Sequence, residues 1–380
     1  MGRKLVTVRR IGAIKPIEGA DRIEIAVIDG WTCIVKKGQF VVDGLAVFFE
    51  IDSFLPGTDA RWAFLEKNFI DWNGQRGFRI KSMKMRGHMS QGLLEPLEDF
   101  PEIIGVIKDL EAAHGRSEAE KIVRGLSFEE PLGVQKWEKM YNTWDGGEKK
   151  ENVPLPAFIQ RTDQERCQNL PDLFDEWKDE VFQETTKMDG SSMTAYFLRS
   201  DSDKTTSLPE VDSSVPQTAL LHNGRFGVCS RQVDLGEQDK NGRYFWEVAK
   251  QLDLANKLSR LDRNIAIQGE LCGSSIQSNF EGFPVGIHDF FLFSVYDIDK
   301  QKYTRPKEAE AMARKLGIKH VHVEGYFRLG DIATDIQGLL ERAEGKGLHG
   351  KKREGIVLKH VDGGFTFKAI SNSYLLKHGE

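Results

Sequence analysis

The stretch Val181 to Leu198, VFQETTKMDGSSMTAYFL, carries a strand-forming run on each side of Lys187-Met188-Asp189-Gly190. Lysine is disfavoured in a buried sheet, and glycine between two strands marks a turn or a close backbone approach. On its own, Lys-x-Asp-Gly reads as an ordinary solvated hairpin. A lysine held among partly desolvated neighbours has a second use, because it loses its proton more readily and becomes a nucleophile. The surroundings of the tetrad decide between the two readings.

Four later stretches share its property of placing charge in or beside an apolar strand. Gly227-Val228-Cys229-Ser230-Arg231 ends on an arginine, and Ile267-Gln268-Gly269-Glu270-Leu271-Cys272-Gly273 brackets Glu270 with glycines. Arg353-Glu354-Gly355-Ile356-Val357-Leu358-Lys359 carries an acid at its start and a lysine at its end, and Phe365-Thr366-Phe367-Lys368-Ala369-Ile370 holds one lysine. Charges are rarely buried without partners. One such site reads as a structural ion pair; several together read as a pocket for a highly charged ligand, with cations for phosphates and acids for a metal ion.

The whole chain sets looser bounds. Its 380 residues exceed one typical domain, 39% are hydrophobic and 29% charged, and the net charge of −5 gives no global nucleic-acid signature. Cys33, Cys167, Cys229 and Cys272 lie far apart, as reduced thiols would in a cytoplasmic protein. No apolar run approaches the roughly 18 residues of a membrane span, so a soluble protein with no membrane partner is expected.

Residues 1–99 are rich in short strands punctuated by turns (Lys4 to Ile14, Ile23 to Ile28, Thr32 to Val35, Leu45 to Phe49), which suggests an OB-type barrel. Arg76, Arg79, Lys81, Lys84 and Arg86 lie near Trp72 and Phe78, a mixture that suits either single-stranded nucleic acid or a solvated strand face. Residues 100–152 read as a helical insert and linker, with helices at Ile103 to Leu110 and Glu118 to Arg124. Residues 153–380 read as an α+β domain of antiparallel strands with outer helices. In it we expect a helix capped by Thr162 or Asp163 and carrying Arg166, and a mobile loop over Arg199 to Thr218. We also expect a type I′ turn at Asn223-Gly224, and helices over Tyr244 to Leu258 and Pro306 to Leu316.

The ordered series K-M-D-G, S-R, G-E-L-C-G, F-S-V-Y-D-I, E-G-I-V-L-K and F-K-A-I-S resembles the motifs of the covalent nucleotidyltransferases, the polynucleotide ligases and mRNA capping enzymes. With T-D-Q-E-R before the lysine, G-V-C-S-R-Q-V-D-L after it and an OB-like module in front, it is most similar to the Deinococcus/Naegleria-type RNA ligases. The resemblance implies an antiparallel-sheet nucleotidyltransferase, an ATP-grasp-like ligase domain, preceded by the barrel. It implies ATP and Mg²⁺ or Mn²⁺ as cofactors, and as partner an RNA with 3′-OH and 5′-phosphate ends, a nicked duplex included. It also implies lysyl-AMP and RNA-adenylate intermediates and a role in RNA repair.

Residue by residue, the resemblance makes Lys187 the nucleophile and Asp189 the aspartate that orients it. Arg166, Gly190, Arg231, Glu270, Tyr296, Glu354, Lys359 and Lys368 become nucleotide-binding, with Tyr296 stacked on adenine and Lys359 and Lys368 at the α-phosphate. Asp189, Glu270 and Glu354 become the metal's acids. Two positions depart from many relatives: Thr366 stands where a second lysine is common, and Thr186 where an acid is common. His320-Val321-His322 could hold a metal but reads more simply as structural. DNA ligases and capping guanylyltransferases usually carry an OB domain after the last lysine motif, whereas twelve residues follow Lys368 here. A fold kept only for nucleic-acid binding would not need Lys187, Glu270, Glu354, Lys359 and Lys368 together.

Overall fold

The computed structural model describes residues 3–138, 143–145, 148–150, 153–208, 210, 219–350 and 352–378. The chain divides into two compact units, residues 1–140 with 372–380, and residues 141–371.

In the first unit, short antiparallel strands form three small sheets and a separate hairpin. Val6–Arg10 and Leu93–Pro96 flank Leu45–Phe49, while Ala13–Pro16, Ile23–Ile28 and Trp31–Lys36 form a meander. Alternating apolar residues turn Val6, Val8, Val47 and Phe49 into one core and Ala26, Ile28, Trp31 and Cys33 into another. The helices Pro101–His114 and Arg116–Arg124 are amphipathic, and Ile103 and Val123 pack into the first of these cores. The helical part of the segment read as an insert, up to residue 140, thus belongs to this unit, because its apolar stripes need that core. The terminal helix Asn372–His378 also falls here instead of with residues 153–371.

The basic and aromatic residues read as either a nucleic-acid surface or a solvated strand face divide between packed and exposed positions. Arg79 pairs with Asp52 at 2.6 Å and lies 3.5 Å above the ring of Trp137. Phe78 packs on the core, and Trp72 packs on Phe54 and donates to the Glu138 carbonyl. Arg76, Lys81, Lys84 and Arg86 stay exposed.

Besides the hairpin of Thr143–Asp145 and Glu148–Lys150, the second unit contains two larger sheets. In the five-stranded sheet the order is β1 (Glu165–Arg166), β9 (Thr366–Ile370), β8 (Gly355–His360), β2 (Val181–Lys187) and β7 (Val323–Arg328). The larger sheet is built on β4 (Gly224–Cys229), β3 (Ser191–Arg199), β5 (Ile265–Gly273) and β6 (His288–Asp297). Each sheet buries one face under helices. Ile356, Leu358, Phe182 and Phe367 meet Leu339 and Leu340 of the helix Ile336–Ala343, and Met193, Ala195 and Ile267 meet Trp246, Leu258 and Ala313. The period-2 alternation therefore commits Lys187, Lys359 and Lys368 of β2, β8 and β9 to the opposite face, while Glu184 stays on the helix side and pairs with Arg342.

Several local expectations change. Thr162 to Arg166 is not a helix: Arg166 pairs in parallel with Lys368, so the backbone is held extended by the sheet. The helix over Tyr244 to Leu258 is two, Arg243–Gln251 and Leu254–Ser259, because Asp253 adopts a left-handed φ of 53°. The hairpin turn falls at His222-Asn223, and neither Asn223 nor Gly224 takes the positive φ of a type I′ turn. Gly224 is needed instead for close approach, since a Cβ there would lie 2.1 Å from the Leu198 carbonyl. The helix Pro306–Leu316 lies where the sequence puts it. The loop expected over Arg199 to Thr218 includes one 3₁₀ turn, Asp203–Ser207, and its residues 209 and 211–218 lie outside the described residues.

Candidate active site

Strand register brings the predicted cations together. Lys187 pairs with Gly355, Val357 with Lys368, and Lys368 with Arg166, and paired residues share a face. Lys359 lies two residues beyond Val357, so Arg166, Lys187, Lys359 and Lys368 all stand on the face turned away from the helices. Gly355 allows this spacing, because a Cβ there would fall 2.2 Å from the Ala369 carbonyl of β9.

Lys187 ends β2 with its side chain 23% exposed, and its Nζ lies 2.5 Å from Oε1 of buried Glu354. Directly after it, the Met188-Asp189-Gly190 turn packs on β5. A Cβ at Gly190 would meet the Leu271 carbonyl at 2.5 Å and Glu270 Cγ at 2.8 Å, so glycine lets the turn lie against the strand that bears Glu270. Burial pushes the Glu270 carboxyl up to about 8; Lys187 holds it down, while Glu354 and Asp189 push it further up. The three acids and the lysine thus share one electrostatic neighbourhood.

That crowding is the feature a divalent cation relieves. Among the described residues no three such side chains stand close enough to ligate a metal directly. A cation drawn to these acids would be held in part through water, as Mg²⁺ often is.

Lys359 reaches from β8 to β6 and donates to the Phe293 carbonyl and, at 3.1 Å, to Ser294 Oγ. Burial lowers its ammonium to about 7. Its Nζ lies 5.3 Å from the centre of the Phe293 ring. Tyr296, expected to face a base, is 6% exposed and packs among Ile159, Tyr196, Ala266 and Tyr303. The register of β5 and β6 slips between Gln268 and Gly269, leaving Phe293 as the extra residue of a bulge with its ring only half-buried. Arg231 is exposed and paired with Asp163.

The sequence reading passed over two residues, Phe293 and Glu281. Glu281 is 2% exposed and accepts the Asp189 N–H at 3.1 Å. Loss of water pushes its carboxyl up to about 7. Phe293 carries a signal in principle, since it opens the F-S-V-Y-D-I motif three residues before the tyrosine; Glu281, in an irregular loop, carries none.

A family model for RNA ligase matches residues 180–370, which span every element of this site from β2 to β9, and an OB-fold domain model matches residues 5–97. The chain belongs to the RNA ligase family. Among solved structures, the ligase is similar to a lysine-to-alanine variant of Naegleria gruberi RNA ligase with ATP and Mn, at 37% identity over 99% of each chain and a TM-score of 0.76. An aspartate-to-alanine variant of the same Naegleria gruberi enzyme, without ligand, gives 38% identity over 100% of the ligase and 99% of that chain, with a TM-score of 0.77. A lysine-to-methionine variant with AMP and Mn gives 37%, 99% of each chain and 0.76. No match was found among curated proteins. No helix among the ligase's described residues is long and apolar enough to cross a membrane.

Proposed function

We infer that the chain is an ATP-dependent RNA ligase that joins 3′-OH and 5′-phosphate ends, and that Lys187 is its nucleophile. The observation that carries the assignment is the fixed Lys187–Glu354 pair on a sheet face that also bears Arg166, Lys359 and Lys368. The Naegleria gruberi structures with ATP and Mn support the choice of nucleotide and metal.

Lys187 attacks the α-phosphorus of ATP, its Nζ–P bond forming as the bond to pyrophosphate breaks. Glu354 holds Nζ in one place until the phosphate arrives, and Lys187 attacks once its proton has left Nζ. Lys368 and Arg166 compensate charge on the phosphoryl oxygens. Asp189, Glu270 and Glu354 would hold a divalent cation, in part through water, and when bound it would supply further positive charge at the phosphates. The AMP then passes to an RNA 5′-phosphate, and a 3′-OH displaces it to close the phosphodiester. We assign adenine stacking to the half-buried Phe293 ring instead of Tyr296. Residues 1–99 serve as the nucleic-acid or nucleotide accessory module, and RNA repair, with nicked duplexes as substrates, is the role this chemistry suits.

Incubation with α-labelled ATP and Mn²⁺ tests the assignment: wild type takes a covalent label and Lys187→Ala takes none. Labelling by GTP in place of ATP would favour a capping enzyme. Sealing of nicks with RNA or DNA on the 3′-OH side identifies the substrate class.

A further inference from the structure

Glu281 lies in the irregular segment between β5 and β6, outside every motif that marks the site. A buried carboxylate is costly unless donors reach it, and here the Asp189 N–H does, at 3.1 Å, while the Leu348 N–H stands near enough to favour the charge. These donors lie on the two segments that carry the reacting pair. Asp189 follows Lys187 by two residues. Leu348 belongs to the stretch that packs on Arg353, immediately before Glu354: Gly345 O accepts the Arg353 N–H at 3.1 Å, and a Cβ on Gly347 would lie 3.3 Å from Arg353 Cβ and 3.6 Å from Glu281 Oε2. The same loop also grips the turn by its side chain, since Phe283 packs with Met188, Cys272 and Phe291.

We propose that Glu281 is a positioning residue for lysine adenylylation, tying the Lys187 turn and the segment leading into Glu354 to one carboxylate. The proposal rests on the reading of Lys187 as the nucleophile. It gives Met188 a purpose as well: the apolar residue of the tetrad anchors the turn to the loop that Glu281 stiffens. Glu281 acts through backbone and not on the nucleotide, so its loss moves the chemical step more than binding.

The test is the rate of covalent labelling by α-labelled ATP with Mn²⁺, measured across ATP concentrations for wild type, Glu281→Ala, Glu281→Gln and Lys187→Ala. Glu281→Ala is expected to lower the rate at saturating ATP by about 10²-fold, the scale of an ångström-sized misplacement, with KM changed by less than about threefold. Glu281→Gln keeps an acceptor oxygen in the same place and is expected to recover most of the loss. Should Glu281→Ala not fold, Glu281→Asp, which withdraws the carboxylate by one methylene, replaces it with the same expectation. A near-wild-type rate for the truncated variant, a loss confined to KM, or a glutamine variant no faster than alanine overturns the proposal while Lys187 stands. An unlabelled wild type overturns both.

Discussion

Lys187 Nζ and Glu354 Oε1 lie 2.5 Å apart, although 166 positions separate the two residues in the chain. The contact follows from pairing of β2 with β8, which sets Lys187 opposite Gly355 and leaves Glu354 one residue beyond the ladder. Glu354→Gln keeps the shape and removes the charge, so the half-buried ammonium loses its counter-ion. We expect covalent labelling to fall by about 10²-fold, the scale of one lost charged group at a reacting centre. Single-turnover labelling checks this, and a wild-type rate would sink the role of the pair.

The two aromatic residues of β6 separate cleanly by experiment. Phe293→Ala is expected to raise the KM for ATP, because a base stacked on a ring gains about 1–3 kcal/mol, or about 5- to 150-fold. Tyr296→Phe should leave KM unchanged, while Tyr296→Ala should lower stability by about 3–5 kcal/mol through the cavity it opens. Labelling kinetics and urea unfolding read the two effects; the opposite pattern would return adenine to Tyr296.

Lys359 makes stability depend on pH. Its folded pKa is lowered to about 7 by burial, against roughly 10.4 in an unfolded chain. Between those values the unfolded chain holds the proton and the folded one does not, so folding stability rises with pH through that window. Lys359→Met should flatten the rise. Urea unfolding at several pH values from 6 to 10 measures it, and an unchanged slope in the variant would assign the effect to another group.

Beneath the cation-bearing sheet, Phe182 is fully buried and touches the rings of Trp177, Phe365, Phe367 and His360. Phe182→Ala is expected to cost about 3–5 kcal/mol of stability. Because the sheet carries Lys187 on its other face, labelling should become more heat-sensitive in parallel. Denaturant unfolding gives the first quantity and labelling after graded heating the second.

What the sequence made legible has a physical basis. Charges set in apolar strands are conspicuous because they are costly, and period-2 alternation suffices to put Lys187, Lys359 and Lys368 on one face. Sequence alone points to Tyr296 because alternation is legible along a strand and a break in the ladder is not. The bulge inserts Phe293 into β6 and turns that ring, not the tyrosine, toward Lys359. The helix expected at Thr162 failed for a different reason: its capping residues are local signals, and pairing of Arg166 with Lys368, two hundred residues away in sequence, overrides them. Glu281 was invisible because an acid in an irregular loop leaves no periodic trace.

The four thiols have a practical consequence. Cys33, Cys167, Cys229 and Cys272 are all buried and unbridged, and burial pushes each thiol upward, away from the reactive thiolate. Maleimide dyes should therefore find the native chain almost silent. A single cysteine introduced on the surface becomes the one addressable handle, and fluorophores can follow the enzyme through a catalytic cycle without first stripping out its own sulfur.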